Sequence, residues 1–91
     1  MKYEIAFTNQ FKKDLKLARK QGKNEDKLFE VIDRLASDLP LEERHKDHAL
    51  SGDYASDREC HVAPDWLLVY KKQESVLVLL LYRLGSHSDL F

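Results

Sequence analysis

The sequence predicts a single α+β domain over residues 1–91, with the element order β-α-α-β-β-β. Two segments in the N-terminal half carry apolar residues at helical spacing, and three apolar stretches with short connections follow in the C-terminal half. Consecutive strands joined by short turns pair antiparallel, and neighbouring helices pack on one face of such a sheet. We therefore expect a small, mainly antiparallel sheet with both N-terminal helices on the same face.

The first strand and the first helix are predicted in the N-terminal third. Residues 2–7 alternate, with Tyr3, Ile5 and Phe7 on one side, which indicates a strand. Thr8 or Asn9 then offers an N-cap, because either side chain can accept a backbone N–H. The helix that follows has an apolar stripe and a C-cap glycine at Phe11, Leu15, Ala18 and Gly22.

The second helix is predicted to begin after Asn24, another N-cap candidate. Glu25 and Asp26 then lie in its first turn, where the helix dipole favours anions. Pro40 is expected to end it, because proline cannot continue a helix. Its apolar stripe is Leu28, Val31 or Ile32, Leu35 and Leu39.

Three strands are predicted in the C-terminal half, after a polar, irregular stretch over residues 41–56. Pro64-Asp65 breaks the first strand from the second, and Gly85 ends the third. A tail over residues 86–91 can then fold back over the same end of the sheet. The predicted strands are residues 58–62, 66–72 and 76–84, with a turn at 73–75.

The charge is nearly balanced overall but uneven along the chain. The 15 Lys and Arg residues against 16 Asp and Glu residues leave a net charge of −1, which excludes a histone-like protein and an acidic disordered tail. Residues 1–27 nevertheless carry a net charge of +4. A solvated helix face is the common meaning of such a run, and a surface that docks on RNA is the sharper one. The run comprises Lys12, Lys13, Lys16, Arg19, Lys20 and Lys23.

Cysteine content and hydropathy point to the cytoplasm. The single cysteine, Cys60, cannot form an internal disulfide, and no secretory signal is visible, so we expect a reducing compartment. The longest apolar run, residues 76–82, is too short to span a bilayer as a helix.

Three histidines and one aspartate lie in predicted loops, strands and turns that topology brings towards one end of the sheet. His48 precedes the sheet strands, His61 lies in the first of them, and His87 lies in the tail. A hairpin tip at Pro64-Asp65 brings Asp65 within one turn of His61. A single histidine is more often a structural residue than a catalyst, so the set matters more than any member.

Other chemistries fit the sequence less well. A zinc site formed by the three histidines and Asp65 matches no compact ligand motif, so we expect no metal and no other cofactor. A Cys60–His61 pair is disfavoured because adjacent strand residues point to opposite faces. There is no glycine-rich phosphate loop. The remaining class is metal-free general acid–base chemistry by histidine and carboxylate.

Trp66 and Arg83 both lie in predicted strands. A tryptophan in a strand is more often a core residue than a platform on which bases stack, and this applies to Trp66. Arg83 interrupts an apolar strand, so it lies either at a sheet end or in a polar cleft, because burying an unpaired charge is costly.

At these residues the sequence resembles the YafQ branch of the RelE-type bacterial toxins. The similar stretches are KDHALSGDY, RECHVAPDWLLVYK and LYRLGSHSDLF, and in this order they extend the resemblance over essentially the whole chain. The resemblance implies a toxin of a type II toxin–antitoxin system that enters the ribosomal A site and cleaves mRNA. It also implies a cognate antitoxin that blocks the toxin. Contact with operator DNA is implied only for the toxin–antitoxin complex, which represses its own operator.

The family's functional positions correspond to seven residues here. The resemblance implies catalytic roles for His48, His61, Asp65 and His87. It implies RNA contacts for Trp66 and for the terminal aromatic Phe91, and Arg83 lies where a phosphate-binding arginine fits. His45 has no counterpart, and we treat it as incidental. The basic helix adds Lys12, Lys16 and Arg19 as candidate RNA contacts.

The mechanistic hypothesis makes His87 the general acid and Asp65, helped by His48 or His61, the base, although the two assignments can be exchanged. Two rivals stay open. A ParE-type toxin of the same superfamily acts on DNA gyrase and lacks this histidine set. A non-catalytic module of the same fold binds nucleic acid or the antitoxin alone, and it tolerates loss of the histidines.

Overall fold

The computed structural model describes residues 2–51 and 57–90, and it confirms the α+β class. One five-stranded sheet has the order β1-β5-β4-β3-β2; β1 pairs parallel with β5, and the other pairs are antiparallel. The elements are β1 Glu4–Phe7, α1 Asn9–Lys20, α2 Glu25–Ala36, a 3-10 helix Glu43–His45, β2 His48–Ala49, β3 Arg58–Ala63, β4 Trp66–Gln73, β5 Val78–Gly85 and α3 His87–Leu90.

Helix α1 begins and ends where its caps predict. Thr8, rather than Asn9, is the N-cap, and its hydroxyl accepts the Phe11 N–H at 3.0 Å. Gly22 follows the C-cap residue and has a φ of +72°, a conformation that glycine adopts without steric cost. The Lys23 N–H then closes the helix end on the Ala18 carbonyl at 3.0 Å.

Helix α2 begins at its predicted cap but ends earlier than predicted. The Asn24 side chain accepts the Asp26 N–H at 3.0 Å. The helix stops at Ala36, so Leu39 lies outside it and is 48% exposed. The prediction that Pro40 ends the helix is therefore wrong.

Asp38 is the residue that turns the chain at the end of α2. It has a φ of 57°, in the left-handed region that asparagine and aspartate tolerate better than most residues. Its carboxylate accepts hydrogen bonds from Lys2 at 2.8 Å and from Lys72 at 3.0 Å. These ion pairs tie the end of the helix to the sheet at the position where glycine is more usual.

Three short elements were not predicted. The 3-10 helix and the two-residue strand β2 lie in the stretch expected to be irregular, and both are too short to show a period. The tail forms the single turn α3. Strand β5 begins at Val78 instead of residue 76, because the turn before it includes Leu77 with a φ of 53°.

The main core lies between the sheet and the first two helices, so the prediction that both helices pack on one face is confirmed. Helix α1 lies against β5, and α2 lies against β3. The opposite face, which we call the open face, carries a second, smaller apolar cluster. The buried sheet residues of the helix face are Cys60, Val62, Trp66, Leu68, Tyr70, Leu79, Leu81 and Leu84. Within residues 2–51 and 57–90, no helix is long and apolar enough to cross a membrane.

Candidate active site on the open face

One row of paired residues crosses four strands on the open face. His48 on β2 pairs with Glu59 on β3, Glu59 pairs with Val69 on β4, and Val69 pairs with Arg83 on β5. Directly paired residues project from the same face of a sheet. With neighbouring strands about 4.8 Å apart, the backbones of His48 and Arg83 are roughly 14 Å apart.

A second row lies two residues along the strands, towards the end where the tail begins. His61 pairs with Leu67, and Leu67 pairs with Gly85. His61 is half-buried and lies on the same face as His48, because His48 pairs with Glu59, which is two positions before His61 on β3. The structure therefore brings two of the three predicted histidines and Arg83 onto one face.

The tail, which was expected to fold back over this end of the sheet, packs against the open face. Leu90 of α3 is 9% exposed and clusters with Leu67 and Val69, and Leu50 packs against the same cluster. A Cβ added at Gly85 would lie 3.2 Å from the Asp89 Cβ, so glycine allows the chain to return closely. The docked helix places His87 beside the open face.

Asp65 and His87 meet at the end of the sheet. The Asp65 carboxylate accepts the backbone N–H of His87 at 3.3 Å, from the tip of the β3–β4 hairpin. Both residues are exposed. The contact joins the hairpin tip to the first residue of α3, although 22 positions separate them in the sequence.

The start of α3 is braced by a reciprocal pair of hydrogen bonds. The Asp89 carboxylate accepts the Ser86 N–H at 3.1 Å, and the Ser86 hydroxyl accepts the Asp89 N–H at 3.2 Å. The hydrogen bonds from Ser86, chiefly that of its side chain, hold the pKa of Asp89 below its usual range. The charged form of Asp89 is thus the one that fits this turn.

His48 has defined partners for both ring nitrogens. Its Nδ1 lies 2.6 Å from the Lys46 carbonyl, so Nδ1 is the protonated nitrogen that donates. Its Nε2 lies 3.5 Å from the Glu59 carboxylate, a contact that is an ion pair when the ring is protonated. In the neutral ring, Nε2 is therefore the nitrogen that can accept a proton.

Glu59 is a residue of the open face that the sequence analysis missed. It is 4% exposed, and its second oxygen is buried with no hydrogen-bond partner among residues 2–51 and 57–90. The signal for it was present, because Glu59 and His61 share a face in an alternating strand. Glu59 therefore places a buried carboxyl group beside His48 on the open face.

A polar cluster of Tyr70, Asp47 and Arg58 fixes the segment that precedes His48. The Tyr70 hydroxyl donates to the Asp47 carboxylate, which also pairs with Arg58 at 3.3 Å. Burial, with the Asp47 hydrogen bond, raises the pKa of Tyr70 well above its usual range, so the hydroxyl stays a donor. Because Asp47 immediately precedes His48, this cluster fixes the start of β2.

Arg83 extends from the open face to the edge of the sheet and pairs with Asp14 of α1. The Arg83 Nε lies 2.9 Å from one Asp14 oxygen, and Nη2 lies 3.4 Å from the other. The Arg83 side chain is 33% exposed. The pairing with Asp14 avoids the cost of burying an unpaired charge, which was the reason to expect Arg83 at a sheet end or in a polar cleft.

Two predicted RNA contacts have a different outcome. Trp66 is 3% exposed and belongs to the main core, so its ring offers no open face on which a base can stack. That prediction is corrected: the bulk of the indole fills the space between the sheet and the helices. Phe91 lies outside the described residues.

The basic helix is separated from the histidines by the sheet. Lys12, Lys16 and Arg19 are exposed on α1, which packs on the helix face. The Lys12 ammonium lies 5.3 Å from the centre of the Phe7 ring, and Arg19 pairs with Glu25 at 2.6 Å. A polyanion that contacts both the helix and the histidines must therefore pass around an edge or an end of the sheet.

His45 and Cys60 have structural environments. His45 is 8% exposed, and its Nδ1 lies 2.7 Å from the His61 carbonyl, so it braces β3 from outside the sheet. Cys60 is fully buried, and burial raises the pKa of its thiol, which disfavours the nucleophilic thiolate. Across the described residues, no three His, Cys, Asp or Glu side chains converge as a metal site.

Comparisons with known proteins place these features in a family. Residues 3–91 match the model of the YafQ family, described as the bacterial toxin of a type II toxin–antitoxin system. A curated relative, the mRNA interferase toxin YafQ of Escherichia coli strain K12, is 39% identical over 89 residues, which cover 97% of this chain and 95% of the relative.

Two solved structures share the fold over nearly their whole length. A metal-bound toxin from Helicobacter pylori superposes with a TM-score of 0.93 at 44% identity, covering 98% of this chain and 99% of that one. The toxin in the E. coli DinJ-YafQ toxin–antitoxin complex gives a TM-score of 0.89 at 38% identity, covering 100% and 99%.

Proposed function

Because this chain belongs to the YafQ family of toxins of type II toxin–antitoxin systems, we propose that it cleaves mRNA in the ribosomal A site by metal-free acid–base catalysis. An mRNA interferase, as the curated relatives are named, is an endoribonuclease. The observation that carries the mechanism is the placement of His48, His61 and Arg83 on one open face, with the Asp65–His87 contact at its end.

The reaction needs two proton transfers and one fixed cation. A base takes the proton of the ribose 2′-OH, the 2′-oxygen forms a bond to phosphorus, and the bond from phosphorus to the 5′-oxygen breaks. An acid gives a proton to that departing 5′-oxygen. A cation steadies the phosphorane, and such fixed charges are usually the larger contribution to the rate. Histidine serves as acid or base because an imidazole ordinarily titrates near neutral pH.

His87 is the general acid in this proposal. It is exposed at the first position of α3, and the Asp65 contact fixes its backbone at the edge of the open face. The Ser86–Asp89 pair and the Leu90 anchor hold the rest of the same turn. Support therefore comes from an exposed imidazole on a backbone that is held at three points.

The base is Asp65, helped by His48 or His61. Asp65 is an exposed carboxylate beside His87, so it can both accept a proton and hold the tail. The Nδ1–H of His48 donates to the Lys46 carbonyl, which leaves Nε2 as the proton acceptor of the neutral ring. This tautomer suits His48 as a proton acceptor, whereas His61 lies on the row nearer the end of the sheet where Asp65 lies, so either histidine is proposed as the helper.

RNA contacts come from cations at two places. Arg83 on the open face binds the scissile phosphate, and Lys12, Lys16 and Arg19 on α1 bind phosphates that are farther away. Phe91 stays a proposed contact for an unstacked base. Trp66 is no longer included, because it is buried.

The partners follow from the family. A DinJ-YafQ complex is known for a relative that covers 100% of this chain, and we propose that a cognate antitoxin binds and blocks this toxin as well. The ribosome and its mRNA are the targets, operator DNA is contacted only through the toxin–antitoxin complex, and the reaction takes place in the cytoplasm.

The test adds the purified protein to ribosomes that translate a defined mRNA, and it maps the new RNA ends. Cuts within translated codons that disappear when ribosomes are omitted support the proposal. Intact transcripts, with inhibition of DNA gyrase in a parallel assay, would instead support the ParE-type alternative. A chelator selective for zinc and copper, used with magnesium retained for the ribosomes, should leave the rate unchanged; loss of cleavage would refute the metal-free mechanism.

A further inference from the structure

The edge of β5 beyond residue 81 is completed by α1. Strand β1 pairs with β5 only from Val78 to Leu81. Past that point, Thr8 provides the hydrogen bonds to β5. Its N–H donates to the Leu81 carbonyl at 3.1 Å, and its hydroxyl donates to the Tyr82 carbonyl at 2.7 Å. One turn and a half farther along α1, Asp14 accepts the Leu84 N–H at 3.0 Å. A side chain thus replaces the missing strand at the position next to Arg83.

Asp14 is nearly buried and receives donors from two elements. It is 9% exposed, and besides Leu84 it accepts Arg83 through both Nε and Nη2 and Gln10 at 3.1 Å. Contact through two nitrogens of a planar guanidinium fixes its plane as well as its position. The carboxylate is itself fixed by the Leu84 backbone, so it forms a rigid reference for the arginine.

We propose that Asp14 is the positioning residue that orients the Arg83 guanidinium towards the scissile phosphate. Asp14 touches no substrate; it acts through Arg83, which pairs with Val69 in the same row as His48 and whose side chain is 33% exposed. A cation that is already oriented costs no reorganisation when charge develops in the transition state. This inference rests on the proposed cleavage and adds a residue of α1 to the catalytic arrangement.

The alternative is that Asp14 only stabilises the fold, by satisfying the Leu84 N–H. That alternative predicts loss of stability without a specific loss of rate in the folded protein. The two are separable because Asp14→Asn keeps an oxygen acceptor for one donor but loses the charge and the two-point contact with Arg83. Arg83→Lys keeps the cation but cannot form that planar contact.

The experiment is a double-mutant cycle in single-turnover cleavage of ribosome-bound mRNA at saturating ribosome. Asp14→Asn and Arg83→Lys should each slow cleavage by on the order of tenfold or more. The double variant should be no slower than the slower single variant, because the two residues act as one unit. The ribosome concentration that gives half-maximal cleavage should change less than about twofold. Asp38→Asn, which removes ion pairs at the turn after α2, is the matched control and should cleave at the wild-type rate.

Cleavage by Asp14→Asn at the wild-type rate, or losses that multiply in the double variant, would overturn the proposal. NMR of the Arg83 side chain separates this result from failure of the proposed function. Orientation by Asp14 predicts that the Arg83 Nε–H signal shifts and exchanges faster with water in Asp14→Asn than in Asp38→Asn. An unchanged Arg83 Nε–H signal would overturn the inference even if the wild-type protein cleaves mRNA. A wild-type protein that does not cleave would refute the proposed function, and the NMR signal would still test whether Asp14 orients Arg83.

Discussion

The Asp65 carboxylate accepts the backbone N–H of His87 at 3.3 Å, so the proposed base and the proposed acid are joined through the backbone of one of them. The contact closes the end of the sheet, between the β3–β4 hairpin tip and α3. It gives Asp65 two separable tasks, accepting a proton and holding the tail. A substitution that keeps one task and removes the other can distinguish them.

Asp65→Asn is expected to lower the cleavage rate about 100-fold, close to the loss from Asp65→Ala. The asparagine oxygen can still accept the His87 N–H, but the amide cannot take a proton at neutral pH. Single-turnover cleavage on ribosomes measures both variants. A wild-type rate for Asp65→Asn together with a slow Asp65→Ala would assign Asp65 to positioning alone.

Leu90→Ala is expected to release α3 from the open face and to slow cleavage with little change in ribosome binding. Leu90 packs on Leu67 and Val69 in the smaller cluster, away from the main core. The free energy of unfolding should fall by about 2 kcal/mol, the lower end for a buried leucine, because the site lies at the surface. Denaturant unfolding and cleavage measure the two effects.

Leu39→Ala is the control for the Leu90 variant. Leu39 is 48% exposed beyond the end of α2, so its removal should change neither quantity appreciably. Equal cleavage by wild type and Leu90→Ala would show that docking of the tail does not position His87.

Asp38→Asn is expected to lower the melting temperature at pH 7 by a small amount, and this difference should vanish in acid. Hydrogen bonds from Lys2 and Lys72 hold the pKa of Asp38 below its usual range. A carboxyl with a lowered folded-state pKa contributes stability above its unfolded pKa of about 3.9, and this stability is lost as pH falls through the folded value. Thermal unfolding at pH 7 and near pH 2 compares the two proteins; a difference that persists unchanged in acid would contradict the ion-pair explanation.

Replacing Lys12 and Lys16 by Gln is expected to weaken ribosome binding and to reduce its dependence on salt, while cleavage at saturating ribosome stays near the wild-type rate. These lysines lie on the helix face, across the sheet from the histidines, so they contribute affinity without touching the reacting atoms. Binding measured across a series of salt concentrations tests this. Wild-type binding that does not vary with salt would contradict the electrostatic role of α1.

The elements that were predicted correctly are those with local signals. The strands β3 and β4 follow from apolar runs with a turn at Pro64-Asp65, and the helix starts follow from Thr8 and Asn24. The early end of α2 was missed, because it depends on Asp38 meeting Lys2 and Lys72 from distant positions.

The site was predictable only in part for the same reason. The hairpin argument placed Asp65 at one end of the sheet and the tail was expected to return to that end, but the contact between Asp65 and His87 itself was not predicted. Asp14 does lie at helical spacing from Phe11 and Ala18, on the buried side of α1, but this local pattern could not show that its partner is Arg83, 69 positions away. The near-neutral net charge was likewise uninformative about RNA, since a net charge of +4 over residues 1–27 is offset by acidic residues later in the sequence.

The most direct test of the account is single-turnover cleavage of ribosome-bound mRNA by the wild-type protein and by His87→Ala, with ribosome binding measured in parallel. The account predicts cleavage by the wild type and a loss of about 10²- to 10⁴-fold for His87→Ala, with binding preserved, because a general acid is removed while the phosphate contacts remain. Cleavage by His87→Ala at the wild-type rate would contradict acid catalysis by His87 and, with it, the central claim.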